Sequence, residues 1–321
     1  MKLQTPIKIH WKITNRCNLK CKHCYLGKLD GFELNYEKIM EIAEKIVKSN
    51  VMEVTISGGE CLICEGIENV ILKFIKDDIK VNIFTNALFL KDVIEKIDGD
   101  IEDRSKLLLY VSVDGLKKTH DSIRGNGTFD KTIASIKFAI EKGYSVITNT
   151  VVSKINFEDI IEMIYLLKEL GVKDVQLSNL IFQGRATKEL GLDLKMQIDL
   201  KNRILKLYKK SPKLGYIYYS EIPDEDKIKK VYLIGNGKNN YVGNDNWKCT
   251  AGVARVTINP DGNVYCCPFI EESFLGNLNT ENLDSIWNNN NRFRFLKMLA
   301  EANSGRVCLA MKKGKKGNEN D

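Results

Sequence analysis

The sequence predicts an α/β fold, a partial (β/α)6 barrel followed by a small C-terminal domain made of a β-hairpin plus helix. Three observations lead there. Over the first 180 residues, short apolar runs alternate with segments of helical periodicity; such alternation makes βαβ crossovers and a parallel sheet. Beyond residue 192 the chain turns to a basic helical stretch and then to a region rich in Gly, Asn and Tyr. From residue 247 a cysteine, a turn and a cysteine doublet follow in close order. The 321 residues, 43% hydrophobic and 28% charged, are enough to bury a full core.

The elements follow in order. Residues 7–13 read as the first strand, and 36–47 as a helix with Ile39, Ile42, Ile46 and Val47 on one face. Next come a strand at 52–56, a helix at 67–75, a strand at 81–85, a helix at 90–97 and a buried strand at 107–113. The helix at 129–141 stops at Gly143, and the helix at 157–170 stops at Gly171; glycine ends helices because it enters the left-handed region without a Cβ clash. Strands five and six lie at 144–152 and 172–177. Six such units favour one curved, partly closed barrel over two domains. A helix at 192–210 leads to a stretch holding Tyr216, Tyr218, Tyr219, Tyr232 and Tyr241, either a strand pair bridging two domains or a substrate-facing surface. The expected division is a core over 1–195, a bridge over 196–246, a C-terminal domain over 247–310 and a disordered basic tail over 311–321.

Several classes of function are excluded. No stretch approaches 18 consecutive apolar residues, which leaves no membrane span. The N-terminus shows no secretory signal, so a cytoplasmic location is expected. A net charge of +7 is too mild for nucleic acid and compatible with an acidic protein partner.

The nine cysteines carry the chemistry. An odd number, clustered and without a signal peptide, makes a poor disulfide framework. With only three histidines, His10, His23 and His120, any metal site is mainly thiolate, and thiolates select zinc, copper(I) or iron–sulfur. Cys17, Cys21 and Cys24 form C-x3-C-x2-C just after the first strand. Zinc would need a fourth ligand, and His23, caught between two of the cysteines, is badly aimed. Three thiolates holding a four-iron cluster leave one iron open for an external ligand.

The run CNLKCKHC resembles the C-x3-C-x-aromatic-C signature of the radical S-adenosylmethionine (SAM) superfamily, with His23 in the aromatic slot. The resemblance implies a [4Fe-4S] cluster on Cys17, Cys21 and Cys24 whose open iron is chelated by SAM. It also implies reductive SAM cleavage to a 5′-deoxyadenosyl radical, with reduced ferredoxin or flavodoxin as electron donor. In barrels of parallel strands, functional residues gather at the C-terminal strand ends. There Ser57-Gly58-Gly59-Glu60 resembles the family's GGE motif, which meets the amino group of SAM. The same rim should hold Asn86 after strand three, Ser112 and Asp114 after strand four, and Asn149 toward the end of strand five. His120 through Gly125, with Arg124, resembles a common family segment. The resemblance covers about residues 5–190. One departure is Cys61 where proline is frequent, with Cys64 three residues on: either a redox or metal pair, or two small residues at a helix entrance.

At the far end, Asn259-Pro260-Asp261-Gly262 is a strong turn that should pair 253–258 with 263–266 and bring Cys249 near Cys266 and Cys267. A helix near 283–298 and Cys308 follow. Four thiols could hold zinc. The Gly262-to-Cys267 spacing and the GNL…IW segment resemble the SPASM domain, or its shorter twitch form, which implies one auxiliary [4Fe-4S] cluster on Cys249, Cys267 and Cys308. The C-x2-C-x5-C group of a full SPASM domain is missing. Neighbours on an extended strand face opposite sides. Cys266 is thus a core thiol, a further cluster ligand, or a catalytic thiol that returns a hydrogen atom to a substrate radical as radical SAM peptide epimerases do.

The expectation is a radical SAM oxidoreductase that modifies a peptide or protein by crosslinking, epimerisation or oxidation. A first strand beginning at residue 7 leaves no room for an N-terminal peptide-binding domain, so a precursor peptide and a separate peptide-recognition protein are the expected partners. The alternatives are an enzyme of a small-molecule cofactor or tetrapyrrole pathway and a non-catalytic iron–sulfur or zinc scaffold. A scaffold has no use for the glycine-rich rim.

Overall fold

The computed structural model describes residues 3–27, 30–210, 216–221, 230–234, 242–243 and 249–301. Each crossover follows from its sequence. Strand β1 (Lys8–Thr14) alternates, with Ile9, Trp11 and Ile13 turned to the core. Helix α1 (Tyr36–Lys48) starts because Asn35 accepts a hydrogen bond from the Lys38 N–H at 3.0 Å, and Lys45 and Lys48 sit in its last turn. It buries Ile39, Ile42, Ala43 and Ile46. The pattern repeats through β2 (Glu53–Gly58), α2 (Ile67–Lys76), β3 (Lys80–Thr85), α3 (Leu90–Ile97) and β4 (Leu107–Ser112). Then come α4 (Lys117–Arg124), α5 (Thr128–Glu141), β5 (Ser145–Val152), α6 (Ile160–Glu169) and β6 (Asp174–Asn179). Gly143 and Gly171 follow α5 and α6 with φ of 84° and 86°, the left-handed stops expected of them.

Helix α4 is a departure: its eight residues, KKTHDSIR, are too polar to show an apolar stripe. After α7 (Leu194–Lys210), strand β7 (Tyr216–Glu221) joins β6 in parallel, and β8 (Lys230–Ile234) pairs antiparallel with β7. The bridging strand pair is therefore formed; Tyr241 and the side chains of the other four tyrosines lie outside the described residues.

The C-terminal hairpin, β10 (Arg255–Ile258) and β11 (Asn263–Tyr265), turns at Asn259–Gly262 as expected, with the Gly262 N–H donating to Asn259 O at 3.0 Å. It is not packed apart as a separate small sheet. β10 lies parallel to β1, Lys8 opposite Arg255 through Trp11 opposite Ile258. Among the described residues the result is one sheet of 12 strands, with β9 (Val242–Gly243) at one edge and β12 (Phe274–Asn277) at the other. Its centre is a run of eight parallel strands, β10-β1-β2-β3-β4-β5-β6-β7, two more than the six expected. β10 covers the edge that β1 would otherwise leave free, and β7 covers that of β6.

The segment expected as one helix over 283–298 is two, α8 (Leu283–Trp287) and α9 (Asn290–Glu301). Asn289 starts the second by accepting from the Asn291 N–H at 2.9 Å. Asn289 and Asn291 also donate to Leu275 O and Phe274 O on β12, blunting that edge. The Trp287 indole donates to Leu3 O at 3.0 Å, and Lys45 Nζ to Leu278 O at 2.5 Å. These bonds fasten the C-terminal region to the start of the chain and to α1. Among the described residues no helix is long and apolar enough to cross a membrane.

Alternation gives the sheet two unlike faces. Ile9, Trp11, Val54, Ile56, Val81 and Ile83 point to the helices and are buried in the core. The intervening residues His10, Lys12, Thr55, Ser57 and Asn82 line the other face, where His10 Nε2 lies 2.6 Å from Ser57 Oγ and Asn82 donates to Thr55 Oγ1.

Candidate iron–sulfur and cofactor site

The C-terminal ends of β1 to β6 share one rim, and the cysteine loop leaves β1 there. Gly59 brings the end of β2 against the start of that loop. A Cβ on Gly59 would lie 2.7 Å from the carbonyl carbon of Arg16 and 2.9 Å from Cys17 Cβ. Any side chain would push the two loops apart. The Gly59 N–H donates to Thr14 O and the Glu60 N–H to Arg16 O, both at 2.8 Å.

Cys17, Cys21 and Cys24 are all unbonded thiols. Burial, aided by the fields of Glu60, Cys21 and Cys24, pushes Cys17 up to about 11, although the Leu19 N–H donates to its sulfur at 3.4 Å. Cys21 is also raised by burial, against the opposing pull of Arg124. Arg124 Nη1 lies 3.8 Å from Cys21 Sγ. The Cys24 N–H bonds to Cys21 O at 3.3 Å, closing a tight turn between them. Among the described residues no three His, Cys, Asp or Glu groups meet closely enough for one metal ion. A four-iron cluster instead takes each thiolate on a separate iron. Three thiols spread over one loop fit that group, and their softness suits iron–sulfur.

Glu60 is 2% exposed, and its carboxylate accepts from Leu62 N–H at 3.1 Å, Thr85 Oγ1 at 2.6 Å and Asn86 N–H at 2.7 Å. Burial raises its pKa and these donors oppose the rise. In the structure it ties the end of β2 to the end of β3. Asn86 continues the chain of contacts, donating from Nδ2 to Asn18 of the cysteine loop at 2.8 Å.

A second tie runs from β4. Asp114, fully buried, accepts from Arg124 Nε at 2.6 Å and from the Val151 N–H at 2.9 Å, and lies 3.4 Å from His23 Nε2. Burial pushes Asp114 up, but Arg124 and then His23 pull it down, and the net shift is downward. His23 thus turns under the loop toward an anion. Ser112 is opposite Asn149 in the β4–β5 register, and Asn149 Oδ1 accepts from Ser178 Oγ at 2.8 Å. Ser112 ends β4, and Asn149 lies beside it on β5.

Sequence reasoning passed over Arg185 and its neighbour. The Arg185 N–H donates to Cys24 O at 2.9 Å, its Nε to Cys21 O at 2.8 Å, and its Nη1 to Gly27 O. Gly184 packs on Gly27 so closely that a Cβ on Gly27 would lie 2.7 Å from Gly184 Cα. The only trace in sequence is a Gly-Arg pair just beyond β6.

Cys61 and Cys64 are buried in the apolar core, and Cys61 Sγ points to Phe84 O. They are small core residues at the entrance of α2. At the C-terminal hairpin, Cys267 and Cys249 are half-buried, whereas Cys266 is sealed, 0% exposed. A Cβ on Gly252 would lie 2.9 Å from Cys266 Sγ, and burial pushes the Cys266 thiol up to about 12. Cys266 thus lies in the core while its neighbour Cys267 is part-exposed. Cys308 lies outside the described residues. The two cysteine regions approach each other: the Tyr25 and Phe269 rings are edge to face at 5.2 Å, and Lys12 Nζ is 5.8 Å from the Tyr25 ring. Lys12 is buried, which lowers its pKa to about 8 against the raising fields of Cys267 and Asp261.

Residues 11–167 match the radical SAM superfamily, and residues 249–310 match the iron–sulfur cluster-binding domain SPASM. The sporulation killing factor maturation protein SkfB of Bacillus subtilis is 26% identical over 204 residues, 62% of this chain and 49% of that protein. Pre-heme d1 synthase of Dinoroseobacter shibae is 29% identical over 201 residues, 59% of this chain and 46% of that protein. The chain thus matches about half the length of these curated relatives. Streptococcus suis SuiB, solved bound to S-adenosylmethionine, superposes with a TM-score of 0.71 at 19% identity, covering 89% of this chain and 66% of SuiB. That likeness is one of fold. SuiB has also been solved bound to the precursor peptide SuiA.

Proposed function

The chain belongs to the radical SAM superfamily, with a SPASM domain behind its barrel, and from that premise we propose that it modifies a peptide or protein substrate by radical chemistry. The two domains indicate a [4Fe-4S] cluster with SAM and an auxiliary [4Fe-4S] cluster. When bound, the first cluster and SAM supply a 5′-deoxyadenosyl radical that abstracts hydrogen from the substrate. The observation that carries the reading is that three thiols and the Gly58–Glu60 turn meet on one rim, above a polar sheet face.

The roles follow from the contacts. Cys17, Cys21 and Cys24 hold the cluster, while Gly58, Gly59 and Glu60 fix the floor on which SAM rests beside it. Asn86 and Asp114, with Arg124 and His23, keep the loop in register with β3 and β4. His10, Lys12, Ser57, Ser112 and Asn149 present donors and acceptors to a substrate lying on the inner face. Cys249, Cys267 and Cys308 hold the auxiliary cluster. Cys266, sealed in the core, packs the hairpin and does not donate hydrogen. The electron donor is an acidic ferredoxin or flavodoxin drawn to exposed lysines such as Lys206, Lys209 and Lys210 on α7, an attraction that salt weakens.

The peptide reading is supported by the relation to a maturation protein. A tetrapyrrole-pathway substrate is the second reading, supported by the relation to pre-heme d1 synthase. Anaerobic protein given SAM, reductant and a short precursor peptide encoded beside its gene decides between them. The expected result is 5′-deoxyadenosine together with a peptide that has lost hydrogen or gained solvent deuterium. An untouched peptide alongside turnover of an iron porphyrin would move the assignment to the second reading.

A further inference from the structure

Two guanidinium groups converge on Cys21 from different elements. Arg124, on α4, reaches the sulfur itself at 3.8 Å, and its charge is answered at 2.6 Å by Asp114. Arg185, beyond β6, reaches the carbonyl of the same residue at 2.8 Å. Among the described residues no carboxylate pairs with Arg185; its donors go to backbone oxygens of the cysteine loop. Its position is enforced by Gly184, which has φ of +63° and no room for a side chain, since a Cβ there would lie 2.6 Å from Cys24 O. One guanidinium answered by a carboxylate and one answered only by backbone oxygens therefore lie beside Cys21, the first at its sulfur and the second at its carbonyl.

We propose that Arg185 is a positioning residue that sets the electron affinity of the cluster held at Cys21, with Arg124 and Asp114 as a balanced pair beside it. The inference rests on the radical SAM reading. The step concerned is a one-electron reduction, [4Fe-4S]2+ plus an electron giving [4Fe-4S]+, with the electron drawn from a low-potential donor. No bond forms or breaks. The reduced cluster carries one more negative charge, and a fixed, partly desolvated cation nearby stabilises that state more than the oxidised one. Arg is suited to this task because it stays protonated and its fork holds several carbonyls at once.

The test is a redox titration of the anaerobically reconstituted full chain without SAM, using dithionite and following by electron paramagnetic resonance the reduced-cluster signal that the variant with Cys17, Cys21 and Cys24 replaced by Ala lacks. Iron content and the visible spectrum are measured first; a wild-type chain with no cluster at Cys17, Cys21 and Cys24 overturns the underlying reading rather than this inference. At a fixed potential, Arg185→Gln is expected to lower the ratio of reduced to oxidised cluster about tenfold, and Arg185→Lys to stay within about threefold of wild type. Asp114→Asn, which leaves the Arg124 charge unanswered, should move the ratio in the opposite direction, and it decides the matter if Arg185→Gln fails to hold its cluster. A wild-type ratio in Arg185→Gln, an equal fall in Lys and Gln, or no rise in Asp114→Asn overturns the proposal.

Discussion

Glu60 on the rim and His10 on the polar sheet face show what single polar groups hold in place. Glu60 accepts three donors from two elements, and an amide in its place must turn a donor toward at least one of them. Glu60→Gln is therefore expected to weaken SAM binding by about tenfold and lower the melting temperature, while iron content is unchanged; calorimetric titration of SAM and a thermal melt measure both. His10 is held down to about 3, by burial first and then by Arg255 and Lys12. The folded chain keeps it neutral, whereas the unfolded chain protonates it below about 6.5. Its contribution is thus complete above pH 6.5 and lost as pH falls toward 3, by roughly 1 kcal/mol per pH unit. Urea midpoints measured from pH 7.5 to 5.5 should fall less steeply in His10→Asn than in wild type, and parallel slopes would remove His10 from the account.

At the level of elements, the cysteine loop is a wrapped strap whose shape is imposed by its neighbours. Gly59 and Gly184 admit it at two points where side chains cannot fit. Gly184→Ala adds a methyl group against backbone at a positive φ, a strain of about 1–3 kcal/mol. It should lose the iron bound by this loop, about half of the total, and keep the auxiliary half. Gly99→Ala, whose new carbon meets nothing within 4 Å, should keep all of it. The two variants are separated by iron assay on matched preparations. Much of this architecture could be read in advance. Gly143, Gly171 and the Asn259–Gly262 turn announce themselves because their conformations are local. Helix α4 escaped notice because a short polar helix leaves no periodic trace, and Arg185 because its partners are carbonyls 158 and 164 positions away, which carry no residue identity at all.

Across the whole molecule, the two cysteine groups belong to neighbouring strands of one sheet, β1 and the β10–β11 hairpin, and approach each other through Tyr25 and Phe269. Reconstituted protein is expected to carry about eight irons, and replacement of Cys17, Cys21 and Cys24 by Ala to leave about four. Stoichiometric zinc, or iron unchanged in the triple variant, would contradict both assignments. The motifs revealed the two groups and their chemistry. They did not reveal that β10 inserts beside β1, because hydrophobic alternation marks a strand without naming its neighbour. Partner choice is set by topology and by which edges remain open.

That insertion has a consequence for biosynthesis. β1 ends at Thr14, yet its second neighbour starts only at Arg255, far later in synthesis. At roughly 5–20 residues per second, the strand waits about 12–50 s with an unpaired edge. Its sequence, KIHWKIT, alternates polar residues, two of them lysine, with large apolar ones, and the lysine charges discourage pairing with other nascent chains during that interval. A chain stopped at residue 246 never ends the wait. It should accumulate in the insoluble fraction, and Lys8→Val with Lys12→Val in the full-length chain should shift the same way, more strongly as translation is slowed. Equal solubility of fast- and slow-translated variants would show that the edge is sheltered by some other means.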